Sequence, residues 1–92
     1  MKKIFILPSC EHSIKKLTRA EKKQLAKGLE TLNAFLSSGQ FPVGFRFKKI
    51  NHDKFEFRIN VRLRVIVKID DDNYYLVLAG NHDEVKRYLR NY

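Results

Sequence analysis

The sequence predicts an α+β fold with a helical hairpin, four or five strands and a short C-terminal helix. Three patterns support this prediction. Apolar and polar side chains alternate along residues 55–69, which indicates strands with one buried face and one solvent-facing face. Leu25, Leu29, Leu32 and Leu36 recur at helical spacing. The tail carries Val85, Tyr88 and Leu89 at the same kind of spacing.

The N-terminal half predicts one strand followed by two helices. The apolar run KIFIL is closed by Pro8 and Ser9, which predicts a short strand and then a turn. A first helical region follows. Thr18 and Glu21 have the spacing of a capping box, so a second helix is expected to begin there and to end near Gly39.

The C-terminal half predicts strands separated by polar turns. The strand-like segments are FRFKKI, residues 55–69 and YYLVLAG, and the turns are NHDK and DDDN. The core is expected to pack one face of these strands against the leucines of the second helix. The strand residues assigned to this core are Phe57, Ile59, Val65, Val67, Leu76 and Leu78, and their helical partners are Leu25, Leu29 and Leu32.

The alternation of side chains in residues 55–69 places two arginines opposite each other if the segment forms a hairpin with an odd number of loop residues. A three-residue loop of Asn60, Val61 and Arg62 keeps the apolar residues on one face and sets Arg58 directly across from Arg64. Like charges across strands repel, whereas two guanidinium groups match the oxygens of a phosphate. The alternative is that the arginines splay outward or pair with acids such as Glu56.

Charge is the most informative part of the composition. The 92 residues, 43% hydrophobic and 32% charged, predict one globular domain spanning residues 1–92. The net charge is +9, and residues 46–68 alone carry eight Lys and Arg against two acids. An excess of this size favours a polyanionic partner such as nucleic acid.

The sequence gives little support to a transmembrane segment, a metal site or a disulfide bond. Its apolar runs are shorter than the roughly 20 residues of a bilayer span, and Pro8 interrupts the N-terminal run too early for a signal peptide. We therefore expect a cytoplasmic protein. A single cysteine, Cys10, excludes an internal disulfide and is expected to be a buried small hydrophobe. No cofactor and no metal are expected.

The segments FKKI, Arg58 with Arg64, and GNHDEV resemble the RelE/ParE superfamily, the toxins of bacterial and archaeal type II toxin-antitoxin modules. The resemblance covers nearly the whole chain. It implies a helical hairpin packed on a small, curved, mostly antiparallel sheet, a cytoplasmic location and a cognate antitoxin. In the RelE branch it also implies a translation-inhibiting endoribonuclease that cleaves mRNA at the ribosomal A site. In the ParE branch it implies inhibition of DNA gyrase.

Metal-free RNA cleavage requires a base for the ribose 2′-hydroxyl, a cationic cradle for the phosphorane and an acid for the leaving oxygen. Arg58, Arg64 and Lys49 can supply the cradle. Imidazole titrates near neutral pH, and His82 matches the position where RelE-like toxins place a functional histidine. His82 is therefore the candidate acid, although a lone histidine at such a position is more often a surface residue.

Three further assignments complete the predicted site. The candidates for the base are Lys48, Lys49 and Glu56. A lysine has to lose its proton before it can act as a base. Glu56 has a simpler alternative role, which is to compensate the charge of neighbouring cations. Tyr88 could stack on a nucleobase, yet it also fits as an apolar contact of the last helix. The remaining cations are assigned to nucleic-acid binding: Arg46, Lys48, Lys54 and Arg62.

The expected partners are the ribosome with its mRNA and an antitoxin, which is expected to be acidic and encoded next to this gene because it has to cover a basic surface. Two other classes of function stay open. A ParE-like toxin would share the fold and the basic surface without cutting RNA. A plain nucleic-acid-binding module would need only charge and aromatic side chains.

Overall fold

The computed structural model describes residues 3–38, 48–50 and 53–90. These residues form three helices and five strands, and the predicted α+β class is confirmed. In chain order the elements are β1 (Lys3–Ile6), α1 (Pro8–Lys15), α2 (Arg19–Ser38), β2 (Lys48–Lys49), β3 (Lys54–Arg58), β4 (Arg64–Asp70), β5 (Asn73–Gly80) and α3 (His82–Arg90). Arg46 and the predicted helix stop at Gly39 lie outside the described residues.

The five strands form one sheet in the order β1-β5-β4-β3-β2. β1 runs parallel to β5, and the other neighbours are antiparallel. A parallel neighbour needs a long crossover connection, and the chain between β1 and β5 contains both members of the helical hairpin. The mostly antiparallel sheet predicted from the sequence is therefore confirmed.

The two helices of the hairpin begin for different local reasons. Pro8 is not in a turn, as the sequence suggested, but in the first turn of α1, where its missing N–H has no partner to lose. At the start of α2 the predicted capping box is confirmed. The Thr18 backbone N–H donates to Glu21 Oε1 at 2.9 Å, and the Glu21 N–H donates to Thr18 Oγ1 at 3.1 Å.

The β3–β4 hairpin has the register that parity predicted. Arg58 pairs with Arg64, and beyond them the Ile59 N–H donates to the Leu63 carbonyl at 2.8 Å, which closes the loop of residues 60–62. Asn60 Oδ1 accepts the backbone N–H groups of Arg62 and Leu63 at 2.7 and 2.8 Å. An asparagine that bonds the backbone two residues on is typical of a tight turn, so one side chain organises this loop.

The main core lies between the sheet and the helical hairpin. Phe57, Val65, Val67 and Leu76 are buried there with Leu25 and Leu32, while Ile59 and Leu29 pack against them partly buried. These predicted contacts are confirmed. Cys10 is fully buried in the same cluster, as expected of a small hydrophobe, and burial raises the pKa of its thiol to about 11.

Leu78 is the exception among the predicted core residues. A β-bulge inserts Val77 into β5, because Ile66 pairs with Leu78 whereas Val67 pairs with Leu76. One extra residue reverses the side-chain alternation that follows it. Leu78 therefore packs on the opposite face of the sheet, next to Ile66, and its assignment to the main core was wrong.

The outer face of the sheet is not simply solvent-facing, as the alternation suggested. α3 crosses it and forms a second apolar cluster in which Ile66, Val77 and Val85 are buried. Leu7, Ile50, Leu78, Tyr88 and Leu89 pack around this cluster. The polar residues on this face are therefore confined to the area that α3 leaves uncovered.

Two serines of α1 complete the hydrogen bonding of β5. β1 pairs with β5 only as far as Leu76, and further along the strand α1 takes the place of β1. Ser9 Oγ donates to the Val77 carbonyl at 2.7 Å, and Ser13 Oγ accepts the Ala79 N–H at 3.0 Å. Ser13 Oγ also donates to the Cys10 carbonyl at 2.7 Å, so this buried hydroxyl joins helix and sheet.

Replacing Ser13 by Ala is expected to lower the free energy of unfolding by about 1–3 kcal/mol, because it leaves the buried Ala79 N–H without an acceptor. Ser9 is exposed, so water can replace its hydroxyl, and Ser9→Ala is the matched control with a smaller loss. Urea unfolding of both variants measures the difference. Equal losses would contradict this role of Ser13.

Candidate active site

The centre of the candidate site is the Arg58–Arg64 pair at the end of the β3–β4 hairpin. Arg58 ends β3 and Arg64 begins β4, and on the next strand the residue opposite Arg64 is Gly80. Paired residues of antiparallel strands carry their side chains on the same face. The two guanidinium groups therefore start from neighbouring positions on the outer face, beside a position that has no side chain.

Glu56 is the acid that accompanies this pair. It is 7% exposed, and Ser13 and Glu56 are the polar side chains that are buried among the described residues. Its Oε1 lies 3.6 Å from Arg64 Nη1, and its Oε2 lies 3.6 Å from Lys48 Nζ. The Arg64 side chain is 14% exposed and that of Lys48 is 67% exposed, so only the Arg64 pair is protected from solvent.

Both arginines retain an unused hydrogen-bond donor. The Nε atoms of Arg58 and Arg64 are buried and have no hydrogen-bond partner. A buried donor without an acceptor costs about 1–3 kcal/mol, and the repulsion between the two charges adds to that cost. A phosphate bound between the two guanidinium groups would offset their charges and so reduce the repulsion.

The two adjacent lysines of β2 lie on opposite faces of the sheet. Lys48 pairs with Glu56 and Lys49 pairs with Phe55, so Lys48 shares the outer face with the arginines and Lys49 does not. Lys49 is exposed on the helix-facing side. The structure therefore does not bring Lys49 into the cradle assigned to it, because neighbouring residues of a strand point in opposite directions.

His82 follows the end of β5, where Gly80 pairs with Arg64. It is the first residue of α3, two residues after Gly80, and its side chain is exposed. Asn81 and Glu84 fix this position with a second capping box: the Asn81 N–H donates to Glu84 Oε1 at 3.1 Å and the Glu84 N–H to Asn81 Oδ1 at 2.8 Å. This cap was not among the predicted features, although Asn81 and Glu84 have the capping-box spacing.

Gly80 leaves room for the first turn of α3. A Cβ atom at this position would lie 3.1 Å from Glu84 Cβ and 3.2 Å from its Cδ, which is closer than ordinary van der Waals contact. The glycine thus lets the first turn of α3 fold back onto the end of β5. In this way the backbone brings His82 to the end of the sheet where the arginines lie.

The other predicted residues occupy more peripheral places. Tyr88 packs against the second apolar cluster, which agrees with its alternative role as an apolar contact of the last helix; stacking on a nucleobase stays a prediction. Lys54 pairs with Lys68 across β3 and β4, and its Nζ lies 3.5 Å from Asp53 Oδ1. Arg62 is exposed in the hairpin loop.

A groove between α2 and the hairpin was not predicted. It has a volume of about 280 Å³ and is lined by Gln24, Lys27, Gly28, Thr31, Arg58 and Ile59. The groove lies on the helix-facing side of the sheet, whereas the side chains of the arginine pair start from the outer face. The sequence gives no local signal for it, because its walls come from segments about 30 residues apart in the chain.

Two further observations concern the described part of the chain. No three His, Cys, Asp or Glu side chains there lie close enough together to hold a metal ion. In residues 3–38 and 53–90, no helix has both the length and the hydrophobicity of a transmembrane span. The polar side chains of the candidate site are those of Glu56, Arg58, Arg64, Lys48 and His82.

The same arrangement of a mostly antiparallel sheet on a helical hairpin is found in solved structures of toxins. Neither a family model nor a curated protein sequence matches the chain, but solved structures do. The RelB–RelE antitoxin–toxin complex from Methanococcus jannaschii is similar with a TM-score of 0.70 at 12% identity, over 91% of this chain and 96% of that one.

Two further structures show the same fold. The YoeB dimer from Staphylococcus aureus has a TM-score of 0.66 at 20% identity, over 88% of this chain and 97% of that one. The DinJ–YafQ complex from E. coli has a TM-score of 0.66 at 14% identity, over 92% of this chain and 98% of that one. The predicted RelE/ParE-like fold is therefore confirmed.

The Glu56–Arg64 ion pair is expected to contribute more to stability than the Glu56–Lys48 pair. In double-mutant cycles with Glu56→Gln, Arg64→Met and Lys48→Met, we expect a coupling of about 1–3 kcal/mol for the half-buried pair and under about 0.5 kcal/mol for the exposed one. Chemical unfolding of the four proteins in each cycle measures both values. A larger coupling to Lys48 would contradict the burial argument.

Proposed function

We propose that this protein is the toxin of a type II toxin-antitoxin module and an endoribonuclease that cleaves mRNA in the ribosomal A site without a metal ion. The observation that carries the proposal is the Arg58–Arg64 pair, whose buried Nε donors have no partner in the protein. The shared fold with RelE, YafQ and YoeB toxins supports it. In this proposal the protein acts in the cytoplasm, where mRNA is translated.

Glu56 is the proposed general base. A carboxylate can accept a proton at neutral pH, whereas a lysine first has to lose one. Glu56 also lies within the charged cluster, with one oxygen directed at Lys48 and the other at Arg64. It would take the proton of the ribose 2′-hydroxyl, and the 2′-oxygen would then attack the adjacent phosphorus.

The arginines and His82 complete the reaction. As the 2′-oxygen bonds to phosphorus, the phosphorane gains negative charge, which Arg58 and Arg64 would stabilise from fixed positions. The bond from phosphorus to the 5′-oxygen breaks, and protonated His82 would donate its proton to that oxygen. The products are a 2′,3′-cyclic phosphate and a free 5′-hydroxyl, with one proton taken up by Glu56 and one released by His82.

Replacing His82 by Gln is expected to reduce cleavage of ribosome-bound mRNA by the roughly 10²- to 10⁴-fold typical of a lost acid, with ribosome binding retained. Glu56→Gln is expected to reduce it by a similar factor. Arg58→Ala and Arg64→Ala should lower both cleavage and binding, because these residues contact phosphate in the ground state as well. Single-turnover cleavage of an A-site codon and equilibrium ribosome binding measure the two effects.

Matched controls separate this chemistry from loss of charge or fold. His12 is exposed on α1 and Arg19 is exposed at the start of α2, so His12→Gln and Arg19→Ala should cleave at close to the wild-type rate. Unchanged cleavage in His82→Gln would remove His82 from the acid role. Growth arrest without any RNA cleavage by the wild-type protein would overturn the nuclease and favour a gyrase-directed toxin.

The proposed partner is an acidic antitoxin encoded beside this gene. The structures of RelE and YafQ contain antitoxins, RelB and DinJ respectively, and a net charge of +9 suits an acidic neutralising segment. Co-expression of the neighbouring gene is expected to restore growth, and the two proteins should co-purify. A protein that is harmless at high expression and binds no neighbouring product would contradict this assignment.

A further inference from the structure

The end of the β3–β4 hairpin has few strand neighbours. Within the described residues β2 pairs with Phe55 and Glu56 and does not extend to Arg58, so the strand neighbour of Arg58 there is Arg64 on β4. The two cations repel each other. The strand pairing therefore holds this end of the hairpin weakly, and the contacts on its helix-facing side become important for its position.

Two contacts on the helix-facing side join the hairpin to α2. Ile59, the residue after Arg58, packs against Gly28, where a Cβ atom would overlap Ile59 Cδ1. Glycine is unfavourable inside a helix, and at this position it permits the close approach. Asn60 Nδ2 donates to Gln24 Oε1. Because Gln24 and Gly28 are four residues apart, they lie on the same side of α2, and the two contacts act together.

Asn60 couples this attachment to the conformation of the loop. Its Oδ1 accepts two backbone N–H groups, one of them from Leu63, at 2.7 and 2.8 Å, while its Nδ2 is bonded to Gln24. Arg58 precedes Asn60 by two residues, and Arg64 directly follows Leu63, which is buried in the main core. A loop that turns away from α2 would therefore carry both arginines with it.

We propose that Gln24 is a positioning residue for the cleavage site, because by holding Asn60 against α2 it keeps both arginines at the positions from which they stabilise the phosphorane. The inference rests on the proposed ribonuclease function and adds to it a residue that does not touch the RNA. Charges stabilise a transition state most when they are held in place beforehand, and small displacements of groups in a site reduce the rate strongly. Gln24 acts through this geometry alone.

The test exchanges the two amides for carboxylates. In Gln24→Glu, the new carboxylate accepts from the Asn60 amide, so the contact is retained. In Asn60→Asp, the carboxylate still accepts the two backbone N–H groups, and the Gln24 amide can turn to donate to it. In the double variant two carboxylates face each other without a donor and repel. The double variant therefore breaks the contact, although each single variant carries one of the same charges. Gln24→Met removes the acceptor without adding charge and provides a neutral comparison.

The first readout needs no RNA. The buried Nε–H groups of Arg58 and Arg64 are followed by NMR hydrogen exchange at mildly acidic pH, because local opening of the hairpin end accelerates their exchange. We expect exchange about 10-fold faster in the double variant and in Gln24→Met, and close to the wild-type rate in both single charged variants. A role of Gln24 that is confined to the turn would leave these two signals unchanged. Thermal unfolding of each variant confirms that it is folded.

The second readout separates the cleavage rate from ribosome binding. In single-turnover cleavage of an A-site codon, the double variant is expected to lose roughly 10-fold in maximal rate, within the 10²-fold that a misplacement of about 1 Å can cost. The dissociation constant for the ribosome should change by less than about 3-fold, because both arginines are still present. Effects of the added charges alone would multiply between the single variants, whereas a broken contact makes the double variant slower than that product.

The outcomes separate this inference from the proposed function. If the wild type cleaves mRNA and the double variant matches the product of the single variants in both readouts, the positioning role is overturned and the nuclease stands. Wild-type behaviour of Gln24→Met in both readouts also overturns it. If arginine exchange accelerates in the double variant but the wild type cleaves no RNA, the hold on the arginine pair stands and the nuclease falls. If exchange is unchanged and the wild type cleaves no RNA, both are overturned.

Discussion

The electrostatic repulsion between Arg58 and Arg64 is the constraint on which the rest of the site depends. Two guanidinium groups on facing strands repel each other, and each keeps a buried Nε without an acceptor. Glu56 offsets part of this charge at 3.6 Å from Arg64. The rest of the repulsion is balanced by other interactions of the hairpin, among them the hydrogen bonds of Asn60 to the turn backbone and to Gln24 of α2.

The two faces of the sheet position the arginine pair in different ways. On the inner side the leucines of α2 bury the hairpin's apolar residues, and this core fixes the register that sets the arginines opposite each other. On the outer side α3 covers Ile66 and Val77 and leaves the hairpin end uncovered. The serines of α1 hold β5 where β1 ends, so the strand that leads to His82 has its backbone groups satisfied.

Sequence patterns predicted those features of the fold that depend on local periodicity, such as the register of the β3–β4 hairpin. The alternation in residues 55–69 was enough to place Arg58 opposite Arg64, because a buried face allows one register only. The same alternation misplaced Leu78, since the bulge at Val77 shifts parity and has no signature in the sequence. The groove at Lys27 and the covering of Ile66 depend on how distant segments pack, which a one-dimensional pattern does not contain.

The fold alone does not distinguish an RNA-cleaving toxin from one that acts on another target, because function depends on the site. The distinction lies in which groups surround the arginines. In a surface that only binds nucleic acid, Glu56 would offset the charge of Lys48 and Arg64 and would weaken the field that attracts phosphate. A cleavage site needs a proton acceptor beside the phosphate it holds. In the proposed mechanism Glu56 is that acceptor, in addition to its ion pairs with Lys48 and Arg64.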